Sequence, residues 1–223
     1  MGPARAVLAG LLSSLAAVAA AAVEPCRLDI VERGTGWPVP LVELRTLHGV
    51  RFVSDNAGVI ALDLPELMDR EVWFEVSGHG YGVKADGFGF RGVRLKPSPG
   101  GRLRVELERT ILARRLGRVT GAGIFGESQK LGLEPGWMET GVFGCDSVQA
   151  VPFGEGLFWV WGDTTLPHYP LGIFHMSAAT TPTRPFAVFE PPVRLVYRHF
   201  RGPDGRPRNV RSEEHTSELQ SRL

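Results

Sequence analysis

Short runs in which apolar and polar residues alternate make up most of the chain from residue 26 to about residue 111. Five such runs are separated by the Gly-containing stretches GTG, DNAG and SGHG, and cover residues 27–31, 39–45, 50–54, 59–64 and 72–76. A sixth run, GRLRVELER, places Leu103, Val105 and Leu107 on one side and Arg and Glu residues on the other. A period of two with a turn about every ten residues is typical of a β-sandwich. The pattern predicts this architecture and no long helix.

A second β-rich stretch lies between residues 142 and 185. Residues 147–153 and 157–161 flank the turn GEG and predict an antiparallel hairpin, and residues 173–180 predict a third strand. Alternation places Trp159 and Trp161 on one face, where we expect them to be buried between sheets. A meander this short cannot bury both of its faces. Sheets of this kind arranged in a ring form a β-propeller.

The hairpin carries one carboxylate at each of two strand ends. Asp146 precedes the first strand and Asp163 follows the second, so we expect them to lie side by side. Such a pair can bind a cation, hold sugar hydroxyls or perform acid–base chemistry. For Asp146, a catalytic base and a strand cap remain equally open, whereas for Asp163 a structural bond to the backbone of DTT is favoured. His168 and Tyr169 follow on a loop, either lining a sugar site or exposed on the surface.

Charge and motif content exclude several functions. The formal net charge of +1 gives no electrostatic basis for binding nucleic acid or an anionic membrane. The basic cluster at residues 109–118 contains no aromatic residues and predicts a solvated surface between domains. GAGIFG at residues 121–126 matches the dinucleotide motif G-x-G-x-x-G, but the Gly- and Pro-containing stretch after it is too short for the required helix.

The two ends of the chain differ in texture from the rest. Residues 1–23 have an early Arg, an apolar run and small residues at the end, which predicts a secretory signal peptide rather than an uncleaved anchor. RSEEHTSELQSRL, at residues 211–223, resembles a translated sequencing adapter. Cys26 and Cys145 form either a disulfide after export or two separate buried thiols.

The first β-rich region carries motifs of a known family. TGWPVPLVEL, SDNAGVIALDLPEL and FEVSGHGY resemble the carboxypeptidase-regulatory-like, transthyretin-type domain. This resemblance implies that residues 24–112 form an accessory β-sandwich without catalytic residues. His79 is then a loop residue rather than a ligand.

The second region is similar to another family. DSVQAVPFGEGLFWVWGDTT resembles the opening blade of secreted five-bladed β-propeller glycoside hydrolases, although Ser147 stands where the best-known members often have Pro. The resemblance implies that Asp146 projects into the central funnel as a base or nucleophile. It implies no cofactor beyond an occasional structural cation, and an extracellular carbohydrate as partner.

These observations predict an all-β, exported protein with an ordered series of regions. They are a signal peptide (1–23), a β-sandwich (24–112), a linker (113–141), a truncated propeller start (142–210) and an adapter-derived end (211–223). We expect the parent protein to hydrolyse glycans and this chain to be inactive, because hydrolysis needs carboxylates from later blades. The alternative is a propeller that binds glycan or protein without catalysis. We also expect no stable folding beyond residue 112, because the edge of a single blade has no partner.

Overall fold

The fold of residues 23–167, 176–183 and 190–210 is described by a computed structural model. Its strands, numbered in chain order, are β1 (Cys26–Glu32), β2 (Glu43–Thr46), β3 (Arg51–Val53), β4 (Val59–Leu62), β5 (Val72–Ser77), β6 (Tyr81–Gly82), β7 (Gly92–Leu95), β8 (Arg102–Arg109), β9 (Gly144–Cys145), β10 (Val148–Phe153), β11 (Gly156–Trp161), β12 (Thr164–Thr165), β13 (Ala178–Pro182) and β14 (Arg198–His199). Within the described ranges, the helical segments are a 3₁₀ turn at Pro65–Leu67 and α1 at Gly126–Lys130. The expected fold class, nearly all β, is confirmed.

Two four-stranded sheets form the first part of the chain. Their strand orders are β4-β1-β8-β6 and β3-β2-β5-β7. Both sheets contribute fully buried side chains to one core, such as Leu28 and Ile60 from the first and Leu44 and Phe74 from the second. Apolar burial of this kind is the main stabilising term in such a domain.

The alternating pattern of β8 has the predicted orientation. Val105 and Leu107 are buried and Leu103 is half-buried, whereas the Arg and Glu residues between them are exposed. β8 pairs in parallel with β1, from Arg27 opposite Arg102 to Glu32 opposite Leu107. The short strands β6 and β7 lie in a stretch where the sequence showed no alternation.

A third sheet, in the order β10-β11-β13-β14, forms the second β-rich region. β10 and β11 pair as the predicted antiparallel hairpin, with Val148 opposite Trp161 and Phe153 opposite Gly156. The third strand begins at Ala178 among the described residues, and residues 173–175 of the predicted strand lie outside them. β14, which the sequence did not predict, completes four antiparallel strands.

The two faces of this third sheet carry different aromatic residues. On one face, Trp159 and Trp161 stack with ring centroids 6.1 Å apart, and Tyr197 packs edge-on against both. Trp161 is buried and Trp159 is half-buried, so the burial expected of both is complete only for Trp161. On the other face, Phe158 contacts Phe153 and Phe200, which are both exposed.

The segment at 113–141 is bound to the β4-β1-β8-β6 sheet and its loops, which differs from the solvated surface predicted for the basic cluster. Arg114 donates two hydrogen bonds to the buried Glu32, from Nε at 2.9 Å and from Nη2 at 2.7 Å. The Arg114 guanidinium also lies 4.4 Å from the ring centroid of Trp37. The cluster is held here because a buried carboxylate needs a cation beside it.

Two further features bear on the functions considered above. After the GAGIFG motif, α1 spans only Gly126–Lys130, so the long helix of a dinucleotide site is missing from this described segment. No helix among the described residues is long and apolar enough to cross a membrane.

Candidate functional site

The two candidate carboxylates, Asp146 and Asp163, are neighbours across a short antiparallel pair of strands. β9 and β12 pair with Cys145 opposite Thr164. Asp146 follows Cys145 and Asp163 precedes Thr164, so these two residues are also adjacent. The backbone N–H of Asp146 donates to the carbonyl of Asp163 at 2.8 Å. The hairpin geometry therefore brings these two residues to the same end of the sheet, as their sequence positions indicate. Asp146 and Asp163 form the rim of this sheet.

A sharp turn after Asp146 sets the direction of its side chain. Ser147 has a φ of 41°, in the left-handed region that few residues other than Gly adopt. Its backbone N–H donates to Oδ1 of Asp146 at 2.6 Å, and its hydroxyl lies 3.4 Å from the same oxygen. Asp146 thus binds its own turn in the manner of a strand cap, while the residue stays exposed to solvent.

Solvent exposure is common to both carboxylates of the rim. Asp163 is exposed and is followed by the buried Thr164, whose hydroxyl donates to the carbonyl of Gly162 at 3.0 Å. Thr164 thus contributes one hydroxyl contact within the DTT turn. Carboxylate oxygens at an exposed position can accept hydrogen bonds from sugar hydroxyls.

A buried polar group lies behind the rim. The hydroxyls of Thr164 and Ser177 are 2.8 Å apart, and Thr164 Oγ1 lies 4.0 Å from Sγ of Cys145. Burial raises the pKa of the Cys145 thiol, which keeps it protonated at neutral pH. These residues support the rim as a rigid base and present no activated nucleophile.

Tyr197 and His199 add two titratable side chains to the aromatic layer behind the rim. Burial lowers the pKa of His199 to about 4, so its imidazole is neutral at pH 7. Burial also raises the pKa of Tyr197, with a smaller contribution from Cys145. Sequence analysis missed both residues, because Tyr197 precedes and His199 ends a two-residue strand, which shows no hydrophobic period, and no motif surrounds them.

The outcome for the other polar residues differs from one to the next. His168 and Tyr169 lie outside the described residues. Glu139 is exposed and borders a cavity of about 10 Å³ that His199 also lines, which is too small for a sugar. His79 is an exposed residue next to the β6 turn. Over the described ranges, no three His, Cys, Asp or Glu side chains come together as metal ligands.

No protein-family model, curated protein or solved structure matches this chain. The site must therefore be interpreted from its own geometry and from the two sequence resemblances.

Proposed function

We propose that this chain belongs to an exported carbohydrate-active protein, with a transthyretin-type accessory domain at 24–112 and the opening blade of a glycoside hydrolase propeller at 142–210. In this proposal Asp146 is the base or nucleophile and Asp163 is its neighbour at the funnel rim. The observation that carries the proposal is the pairing of these two residues at one end of an antiparallel hairpin.

The third sheet has properties that support its interpretation as a blade. Propeller blades are four-stranded antiparallel sheets packed face to face around an axis. This sheet has four antiparallel strands, and one of its faces exposes Phe153 and Phe200 beside Phe158. An apolar aromatic face of this kind is stabilised when a neighbouring sheet covers it.

Hydrolysis of a glycosidic bond needs carboxyl groups on both sides of the bond, and the rim formed by Asp146 and Asp163 supplies only one side. Two carboxyl groups must flank the bond, about 5–5.5 Å apart in retaining enzymes and about 6.5–9.5 Å apart in inverting ones. Asp146 and Asp163 come from adjoining strand ends on one side, so a partner carboxylate must face them from another blade. We therefore expect this chain alone to have no hydrolase activity.

A non-catalytic glycan-binding protein is the second candidate, and the environment of Asp146 favours it. Its carboxylate is exposed and already accepts hydrogen bonds from Ser147. A carboxylate base or nucleophile works only with a second carboxyl group across the scissile bond, and the described residues of this hairpin place Asp163 beside Asp146 on the same side. An exposed carboxylate held by its own turn is better suited to binding sugar hydroxyls.

The experiment that separates the two candidates begins with the gene. We would sequence the source locus beyond the codon for Val210 and express the resulting product beside the present chain. Both proteins would be assayed on aryl glycosides and on neutral polysaccharides. If hydrolysis is the function, the longer product is active and Asp146→Asn lowers its rate by about a hundredfold or more.

Each other outcome has a distinct meaning. Glycan binding without turnover by the longer product would support the non-catalytic alternative. Hydrolysis that survives Asp146→Asn would contradict the assigned role of Asp146. Asp146-dependent hydrolysis by the present chain would contradict the expectation that it is inactive.

A further inference from the structure

A groove lies on the outer face of the β3-β2-β5-β7 sheet, far in sequence from Asp146. Its volume is about 580 Å³, within the rough range of 300–1,000 Å³ found for small-molecule sites. The walls come from β2, β5, the turn after β2 and the loop before β7. The resemblance to an accessory domain assigns nothing to this groove.

An aromatic corner forms one end of the groove. The rings of Trp73 and Phe90 meet at 82° with centroids 6.2 Å apart. Trp73 lies over Gly92 on the neighbouring strand, where an added Cβ would come within 2.4 Å of two indole ring atoms. Gly92 therefore leaves the space that lets the indole lie flat on the sheet, with Phe90 as an upright wall.

The loop that carries Phe90 is held in place before any ligand binds. Oδ1 of Asp86 accepts hydrogen bonds from the backbone N–H groups of Phe88 at 2.9 Å and Phe90 at 3.0 Å. The backbone N–H of Asp86 also donates to the carbonyl of Phe90 at 2.9 Å. A ring positioned in this way loses little conformational entropy on binding.

Hydrogen-bond donors and hydrogen-bond acceptors both lie along the floor of the groove. Arg45 and Glu75 face each other across β2 and β5, and Nε of Arg45 donates to Oε2 of Glu75 at 3.0 Å. Both side chains remain partly exposed, so unused guanidinium N–H groups and carboxylate lone pairs face the groove. The groove is lined by one positive side chain, Arg45, and two negative ones, Glu75 and Asp86. This balance of charge does not favour a polyanionic ligand.

We propose that this groove is a binding site for a neutral oligosaccharide, with a pyranose ring stacked on Trp73 against Phe90 and its hydroxyls bound by Arg45, Glu75 and Asp86. A sugar ring has an apolar C–H face that packs on an aromatic ring, and hydroxyls that both donate and accept. Fixed donors and acceptors beside an aromatic corner fit that chemistry. The inference does not depend on the hydrolase proposed above.

The test is affinity electrophoresis of the full chain through gels containing arabinan, xylan, galactomannan or mixed-linkage β-glucan. Phe90→Ala is the main variant, because Phe90 is 61 % exposed and its loss should not unfold the protein. Phe88→Ala is the matched control, because Phe88 is 91 % exposed on the same loop and does not line the groove. Trp73→Ala is a second variant, compared with the wild type by thermal unfolding.

Retardation of the wild type by at least one of these polysaccharides is the expected result. Phe90→Ala should weaken binding about tenfold, and Phe88→Ala should leave it unchanged. Lack of retardation in all four gels, or retardation that Phe90→Ala does not reduce, would overturn the proposal. Loss of binding in Asp146→Asn but not in Phe90→Ala would place the sugar at the rim instead, which supports the proposed function and refutes this groove.

Discussion

The side-chain amide of Asn56 pairs with the backbone of Arg118 in both directions. Nδ2 of Asn56 donates to the carbonyl of Arg118 at 2.8 Å, and Oδ1 accepts from the backbone N–H of Arg118 at 2.8 Å. The backbone N–H of Asn56 also donates to the carbonyl of Ile124 at 2.9 Å. The neighbouring Asp55 accepts from the N–H of Ser128 at 2.7 Å. This turn between β3 and β4 therefore anchors the segment at 113–141.

Asn56→Ala should destabilise this attachment by about 2 kcal/mol, because it leaves two partly buried backbone groups of Arg118 without their Asn56 partner. We expect a lower free energy of unfolding in urea, and new cleavage between residues 113 and 141 in limited proteolysis. Wild-type protein should resist cleavage there, contrary to the expectation from sequence that folding ends near residue 112. Arg70→Ala, at an exposed position, serves as control. An unchanged cleavage pattern in Asn56→Ala would show that this anchor is dispensable.

Glu32→Gln should lower stability by about 2 kcal/mol at pH 7, because the buried carboxylate accepts two hydrogen bonds from Arg114. These bonds, and the charges of Arg114 and Arg109, hold the pKa of Glu32 below its ordinary value. A lowered folded pKa gives stability that is present above the unfolded carboxyl pKa and is lost as pH falls through the folded one.

The difference in unfolding free energy between wild type and Glu32→Gln should therefore shrink below about pH 4, the ordinary Glu range. Urea titrations from pH 7 to pH 3 measure it. Burial raises the pKa of Asp55, so the effect of this residue on stability changes with pH in the opposite direction. Asp55 is present in both proteins, so its contribution cancels in the difference between them. Glu106→Gln, which removes an exposed partner of Arg33 and Arg104, should change stability by about 0.5 kcal/mol or less. A gap that stays constant with pH would refute the role given to Glu32.

Much of the β structure could be predicted because it is recorded in local patterns. The alternation in β8 and the turn between β10 and β11 each lie within a few residues, and both were placed correctly. The anchor at Asn56 could not be predicted, because its partner Arg118 is 62 residues away and the DNAG motif indicates only a turn. A separation of 82 residues likewise hid the contact of Arg114 with Glu32.

Part of the candidate site could be predicted from local sequence, and part could not. The hairpin placed Asp146 beside Asp163, since the ends of paired strands must meet. Behind that rim, His199 lies in β14, which has only two residues, and Tyr197 directly precedes this strand. No periodicity can be read from so short a strand, and its pairing with β13 depends on the tertiary fold.

Gly58→Ala should lower the free energy of unfolding by about 3 kcal/mol, because backbone strain and a steric clash combine in the turn between β3 and β4. Gly58 has a φ of +67°, and an added Cβ would lie 2.5 Å from the carbonyl oxygen of Ile30. Gly34→Ala is the matched control, because φ is +85° there but no atom lies within 4 Å of the added carbon. It should cost only about 1 kcal/mol, from backbone strain alone. Equal losses in the two variants, measured by urea unfolding, would show that the contact with Ile30 relaxes freely.

The two cysteines should titrate as free thiols, which decides between the two alternatives left open by the sequence. Cys26 is buried in the core at the start of β1, and Cys145 lies in β9, with no disulfide joining them. Burial raises the pKa of both thiols, so little reactive thiolate is present at neutral pH. We expect slow reaction with a disulfide reagent in the native protein and rapid reaction of both thiols in denaturant without reductant. Cys145→Ser should leave one reactive group, Cys26. If the unfolded, unreduced wild type shows no thiol, the chain has formed the Cys26–Cys145 disulfide, and the placement of these residues here is wrong.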